Sequence, residues 1–251
     1  MLISPADTPP PQSAHSPSAQ PAQAAHAIQA ILFDLDGTLI DSAPDLAGTA
    51  NDMLLARGRE PVPSERLRAH AGSGARGMLG AAFGLRPGDA DYAVLRDEFH
   101  DRYEQRMLEA TAVFAEVWAM LDAVEARGVP WGIVTNKSLR FAEPMTRALG
   151  LAARAAALVG GDSTPHTKPH PAPLFEAARR LGLEPSACAY VGDDERDMIA
   201  GRAAGMWTIA AAWGYLGPGA DPQAWPADEV AAGPAELAAG LHRLLQSPRL
   251  A

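Results

Sequence analysis

A chain of 251 residues, 47% apolar and 20% charged, has the composition of one or two globular domains with a real core. Its net charge of −9 and pI near 5.2 argue against nucleic acid and anionic membrane surfaces as partners, and mean that an anionic substrate would need a local cation. The single cysteine, Cys188, excludes a disulfide framework and a thiolate metal cluster, and no apolar run approaches the ~20 residues needed to span a bilayer, so a cytoplasmic setting is expected.

Residues 1–29 are rich in Pro, Ala, Gln, Ser and His, hold no Lys or Arg, and lack the basic start and apolar centre of a signal peptide. They predict a disordered extension. Ile31, Leu32 and Phe33 then read as a short buried parallel strand. It runs into Asp34, Leu35 and Asp36, followed by the turn signal Gly37-Thr38. Side chains two apart on a strand share a face, so Asp34 and Asp36 start out pointing the same way. Two carboxylates that close need a cation, a shared proton, or a sharp backbone change after the first. A solvated turn closing a strand is the plain alternative, and the apolar run before the acids weighs against it.

From Pro44 to about Arg57 the pattern is helical, and Asp89 to Met107 is amphipathic, with Tyr92, Leu95, Phe99 and Tyr103 spaced for one face. No strand is evident between Asp45 and Ala112. Residues 44–112 are therefore expected to form an all-helical insert placed over the end of the first strand. From Val113 onward helix and strand alternate, with strands expected at Trp131–Thr135, Ala157–Val159, Ala189–Val191 and Thr208–Ala211. Such alternation predicts an α/β fold, a parallel sheet with helices on both faces, built from residues 30–43 and 113–251.

Three more strand ends carry chemistry. Thr135 and Asn136 offer a hydroxyl and an amide that can donate to phosphate oxygens, or Asn136 can cap the helix that follows. Lys168 is stiffened by Pro169, Pro171 and Pro173, although an exposed loop lysine would look the same. Gly192 ends a strand and presents Asp193 and Asp194, with Asp197 one helical turn beyond Asp193. Hard oxygen ligands of this kind suit Mg²⁺ at Asp193, while the helix dipole alone accounts for Asp194 and Glu195. Of 21 basic residues only Lys137 and Lys168 are lysines, both beside these motifs. Arg and Lys are not equivalent at a tight single-point contact, though chance survival would account for one of the two.

Taken in order, Asp34-Leu35-Asp36-Gly37-Thr38, Thr135-Asn136, Lys168-Pro169 and Gly192-Asp193-Asp194 resemble the four motifs of the haloacid-dehalogenase-like superfamily, over Ile31 to about Tyr215. The helical insert resembles the small cap of its phosphoglycolate-phosphatase-like members. The stretches WGIVTNKSLRFAEP, GDDERDMIAGRAAGM and WGYLGPGADPQAW are similar to the N-acetylmuramic acid 6-phosphate phosphatases of that family.

The resemblance implies a Rossmann-like core and hydrolysis of a small phosphate ester. Asp34 would be the nucleophile and Asp36 the general acid and base. Thr135, Asn136 and Lys168 would hold the phosphoryl group. Mg²⁺ would sit on the Asp34 carboxylate, the Asp36 carbonyl and the Asp193 carboxylate, with Asp194 and Asp197 behind them. An acid at Asp36 argues for phosphate over halide chemistry, because a halide leaves without a proton. The absence of lysine between Asp45 and Ala112 argues against a phosphonate hydrolase and a sugar phosphomutase. A non-catalytic binding domain of the same fold is the rival from another class. Arg76, in the Gly-rich Ala71–Gly77 segment, is the candidate partner for a substrate carboxylate, or else an exposed helix residue. His70, His100, Trp213 and Tyr215 read as packing or surface. A monomer or a homodimer is expected.

Overall fold

A computed structural model describes residues 27–246. Eight strands are present among them: β1 (Ala30–Phe33), β2 (Ile40–Asp41), β3 (Ala112–Val113), β4 (Trp131–Val134), β5 (Ala157–Val159), β6 (Cys188–Gly192), β7 (Trp207–Ala211) and β8 (Glu229–Ala231). Six of them form one parallel sheet in the order β5-β4-β1-β6-β7-β8. The chain moves outward from β1 through β4 to β5, then crosses back to β6 on the other side of β1. The strand order thus reverses beside β1, which is where open α/β sheets bind ligands at their carboxyl ends.

Period-two alternation sends neighbouring strand residues to opposite faces. Ile31, Phe33, Trp131, Ile133, Ala189 and Val191 pack on one face. They meet α5 (Val117–Glu125), α6 (Leu139–Ala148) and α9 (Pro234–Gln246) through Val117, Leu121, Phe141, Met145, Leu237 and Leu241. Leu32, Val134, Val159 and Tyr190 pack on the other, against Leu174 and Ala178 of α7 (Ala172–Leu181) and Ala200 of α8 (Glu195–Ala204). Both faces are covered, as a parallel sheet requires.

Between β2 and β3 the chain is helical: α1 (Ala43–Leu55), α2 (Ser64–Arg68), α3 (Gly74–Phe83) and α4 (Tyr92–Arg106), with a single 3-10 turn at Ala71–Ser73. Leu46, Ala50 and Met53 of α1 are buried on one face, with Met78 and Leu79 of α3 and Phe99 and Tyr103 of α4 in the same apolar cluster. The two passages between insert and sheet are joined. Ile40 pairs with Val113 and Asp41 with Ala112 in an antiparallel ribbon. The buried Asp45 carboxylate then accepts from the Ala110 and Thr111 N–H groups and from the Thr111 hydroxyl, at 2.7–3.1 Å.

The structure departs from expectation in three places. The ribbon strands β2 and β3 and the edge strand β8 were not expected. Two-residue strands carry no periodic signal, and β8 holds one buried residue, Ala231. Ala112, expected in the helical insert, lies in the ribbon. The disordered extension expected at residues 1–29 falls mostly outside the described residues, but Ile28 is buried and the Gln29 N–H donates to the Ala187 carbonyl at 2.7 Å, so sheet packing starts before Ala30. Among the described residues no helix is long and apolar enough to cross a membrane.

Candidate active site

Three adjacent strands, β4, β1 and β6, end together, and each hands its next residue to one hollow. Asp34 follows β1, Thr135 follows β4 and Asp193 follows β6. Lys168 arrives on the long connection after β5. Asp34, Asp36, Thr135, Asn136, Lys168, Asp193, Asp194 and Asp197 all line a cavity of about 440 Å³, and the insert closes its far side with Arg76 among others.

Lys168 is the hub. Its ammonium is 2.9 Å from Asp34 Oδ1 and 2.7 Å from Asp197 Oδ1. It also donates to the Val134 carbonyl at 3.1 Å and the Tyr190 hydroxyl at 2.6 Å, with 3% of the residue exposed. Burial works against its charge, and Asp197 and Asp34 outweigh that, holding it above the ordinary lysine range.

The acids carry the opposite strain. Burial pushes Asp34 up to about 7; Lys168 pulls it back, while Asp197 and Asp36 repel its charge. Burial, then Asp34 and Asp197, also raise Asp193 well above the carboxylate range. Asp193 is held by the Thr38 hydroxyl at 3.1 Å and the Tyr215 N–H at 2.8 Å. Its walls are glycines by necessity: a Cβ on Gly37, where φ is +84°, would lie 2.1 Å from Asp193 Oδ2, and one on Gly214 would lie 2.2 Å from its Cβ.

These residues fit a divalent cation. Carboxylate oxygens of Asp34, Asp193 and Asp197 lie within 4.8 Å of one another. Asp34 Oδ1 is buried and, though near Lys168, receives no aligned hydrogen bond. Three crowded acids facing one lysine leave negative charge that a hard cation would neutralise. Asp197 is the least available of the three, since Lys168, the Tyr190 hydroxyl and the Asp194 N–H all bond its carboxylate.

Other sequence expectations find different partners. The Asn136 amide neither caps a helix nor stays open for a phosphate oxygen. It bonds the Lys168 backbone twice, through its oxygen and its nitrogen, and Asp162 bonds the first N–H of α6 instead. Asp194 caps α8 and pairs with Arg196, which outweighs burial and keeps Asp194 low. Arg196 also donates to the Gly72 carbonyl of the insert at 2.8 Å. Arg76 is exposed, lines the cavity and makes no ion pair among the described residues. His100 lines the cavity too, against the Phe141 ring, and burial with Arg96 and Arg140 nearby keeps it below the ordinary histidine range.

Sequence reasoning missed several contributors. The Ser42 hydroxyl donates to Asp36 Oδ1. The Tyr215 hydroxyl accepts from the Ser42 and Ala43 N–H groups, and Trp213 Nε1 donates to the Thr38 carbonyl at 3.0 Å, so both aromatics brace the loop of the two acids. Lys137 pairs with Asp36 at 3.0 Å and reaches Tyr103 of the insert. The scarcity of lysine was the one signal that pointed to Lys137.

The family model for haloacid dehalogenase-like hydrolases matches residues 28–205. An N-acetylmuramic acid 6-phosphate phosphatase of Pseudomonas aeruginosa is 42% identical over 218 residues, covering 87% of this chain and 96% of that protein. A phosphoglycolate phosphatase of Xanthomonas campestris pv. campestris is 45% identical over 209 residues, covering 83% of this chain and 94% of that one. The crystal structure of a predicted phosphoglycolate phosphatase from Haemophilus somnus superposes with a TM-score of 0.72 at 26% identity, over 87% of this chain and 98% of that chain.

Proposed function

The chain belongs to the haloacid dehalogenase-like hydrolase family and is a phosphatase, and we propose that it hydrolyses a small carboxylated phosphate monoester through an aspartyl phosphate on Asp34. The observation that carries this reading is Asp34 itself. It stands at the end of the central strand, lining the cavity, with the Lys168 ammonium 2.9 Å from its Oδ1.

In the first step an Asp34 oxygen bonds phosphorus as the bond to the leaving oxygen breaks, and Asp36 gives that oxygen a proton. In the second, Asp36 takes a proton from the attacking water, the water oxygen bonds phosphorus, and the bond to Asp34 breaks. The Thr135 hydroxyl, the Asn136 N–H and the Lys168 ammonium offset the charge that spreads over the phosphoryl oxygens. Loss of one such donor costs about 3 kcal/mol in the barrier. Mg²⁺, held by Asp34, the Asp36 carbonyl and Asp193, would keep both carboxylates ionised at neutral pH and neutralise phosphate charge. Asp197 and Asp194 would act from behind, through Lys168 and Arg196.

The helical insert serves as a cap that closes the site to water, and Arg76 on it pairs with the substrate carboxylate. Phosphoglycolate is the first reading. The cavity of about 440 Å³ favours a second, N-acetylmuramic acid 6-phosphate, because ~300–1,000 Å³ is the size of pockets that take ligands of that bulk. Tyr92, Phe99 and Phe141 supply apolar wall for a sugar ring, whereas a two-carbon acid leaves most of the space to water. Measuring kcat/KM for both esters, in Mg²⁺ and again in EDTA, tests the reading. Mg²⁺-dependent phosphate release from a carboxylated ester supports it, and failure to hydrolyse any phosphomonoester contradicts it.

A further inference from the structure

Lys137 lies on the loop between β4 and α6, and three pieces of chain meet at its ammonium. Asp36 Oδ1, from the loop after β1, is 3.0 Å away. The Tyr103 hydroxyl, from α4 of the cap, is 3.1 Å away, and the Tyr103 ring centre 4.9 Å. Only 9% of the lysine side chain is exposed. The Ser42 hydroxyl donates to the same Asp36 oxygen. Oδ1 therefore has two fixed donors, and Oδ2 is the oxygen left to exchange a proton with an ester or a water.

We propose that Lys137 is the positioning residue of Asp36, and that Tyr103 makes this placement depend on closure of the cap. The proposal rests on Asp36 being the acid and base.

An ammonium has donors only, so it bonds Oδ1 whether Oδ2 carries a proton or not. The carboxyl group can then give its proton to the leaving oxygen and take one from water without turning. Tyr103 supplies the second half. Its ring meets Phe141 of α6 at 5.4 Å, and its hydroxyl lies 3.7 Å from Met145 Sδ, so the phenol is seated only when α4 rests on the core. With α4 lifted, the ammonium loses the hydroxyl and the ring face and gains water. Among the described residues the ammonium on its flexible four-carbon stem then has only Asp36 itself as a side-chain partner, so the clamp on Asp36 loosens to the Ser42 hydroxyl and an unseated lysine. Closure thus excludes water and completes the acid in one movement. It also accounts for a lysine here in a chain whose only other lysine is Lys168: a compact point donor fits between a carboxylate and a phenol, and a planar fork does not.

The test compares Lys137→Met, Tyr103→Phe and Asp36→Asn on two esters. An alkyl phosphate releases an alkoxide that needs a proton, whereas p-nitrophenyl phosphate releases a stable anion. The readout is kcat/KM, which runs only through departure of the leaving group. Lys137→Met should lose about 100-fold on the alkyl ester and stay within about 3-fold on the nitrophenyl ester. Its kcat on the nitrophenyl ester should fall with a burst of nitrophenol, because release of phosphate from Asp34 needs Asp36 as base. Tyr103→Phe keeps the packing and should show the same selectivity, weaker. Equal losses on the two esters, or none, overturn the proposal, and if Lys137→Met does not fold then Tyr103→Phe decides alone by the same criterion. Asp36→Asn separates the two failures. If it shows no preference between esters, the acid reading of Asp36 falls; if it does and the Lys137 and Tyr103 variants do not, only the present inference falls.

Discussion

Asn136 grips the backbone of Lys168 from both sides: its Oδ1 accepts from the Lys168 N–H at 2.9 Å, and its Nδ2 donates to the Lys168 carbonyl at 3.0 Å. The two residues are 32 apart in the chain and stand on different loops. The amide thus sets where the hub ammonium stands between Asp34 and Asp197.

Asn136→Ala should cost about 1–3 kcal/mol of folding stability, the worth of two part-buried hydrogen bonds. It should lower kcat more than it raises KM if the lysine acts, as proposed, on charge that develops in the transition state. Denaturant midpoints and steady-state kinetics on one ester measure both. Unchanged kcat would mean that Lys168 keeps its place without the amide.

Metal and pH are linked through the crowded acids. The folded-state value of Asp34 is raised from the ordinary 3.8 to about 7, so the fold prefers the protonated form. Its contribution to stability is present below about 4 and is lost as pH rises through about 7. Asp193 acts in the same direction. On the proposed reading Mg²⁺ would bind the ionised forms, so its stabilising effect should grow from pH 5 to pH 8, and binding near pH 6 should release protons. Melting temperatures in Mg²⁺ against EDTA at the two pH values, with calorimetry in buffers of different ionisation heat, check this. An equal shift at both pH values would contradict it.

Gly214 is needed for space. With its Cβ placed 2.2 Å from Asp193 Cβ, Gly214→Ala must push the carboxylate aside. Overpacking of this kind costs about 1–3 kcal/mol. The Mg²⁺ concentration for half-maximal activity should rise well beyond any change in KM for the ester. A variant that loses stability but keeps its metal dependence would place Asp193 outside the metal site.

The strand ends were legible in the sequence because buried parallel strands are apolar until the residue that must meet the ligand. Phe33 to Asp34 and Gly192 to Asp193 show that change in one step. Partners of the acids were not legible. Lys137 meets Asp36 and Tyr103 from loops and helices distant in the chain, and no spacing rule links them. Tyr215 read as packing because nothing in its neighbours shows that its hydroxyl accepts two N–H groups at the start of α1. The ribbon of β2 and β3 escaped notice for want of length, yet it joins the two passages to the helical insert.

Asp34 as the phosphoryl acceptor carries the account, and acid-quenched single turnover with a labelled ester tests it most directly. The label should appear on the peptide that contains Asp34, should persist longer in Asp36→Asn, and should vanish with turnover in Asp34→Asn. Label on another residue, or substantial turnover by Asp34→Asn, would contradict it.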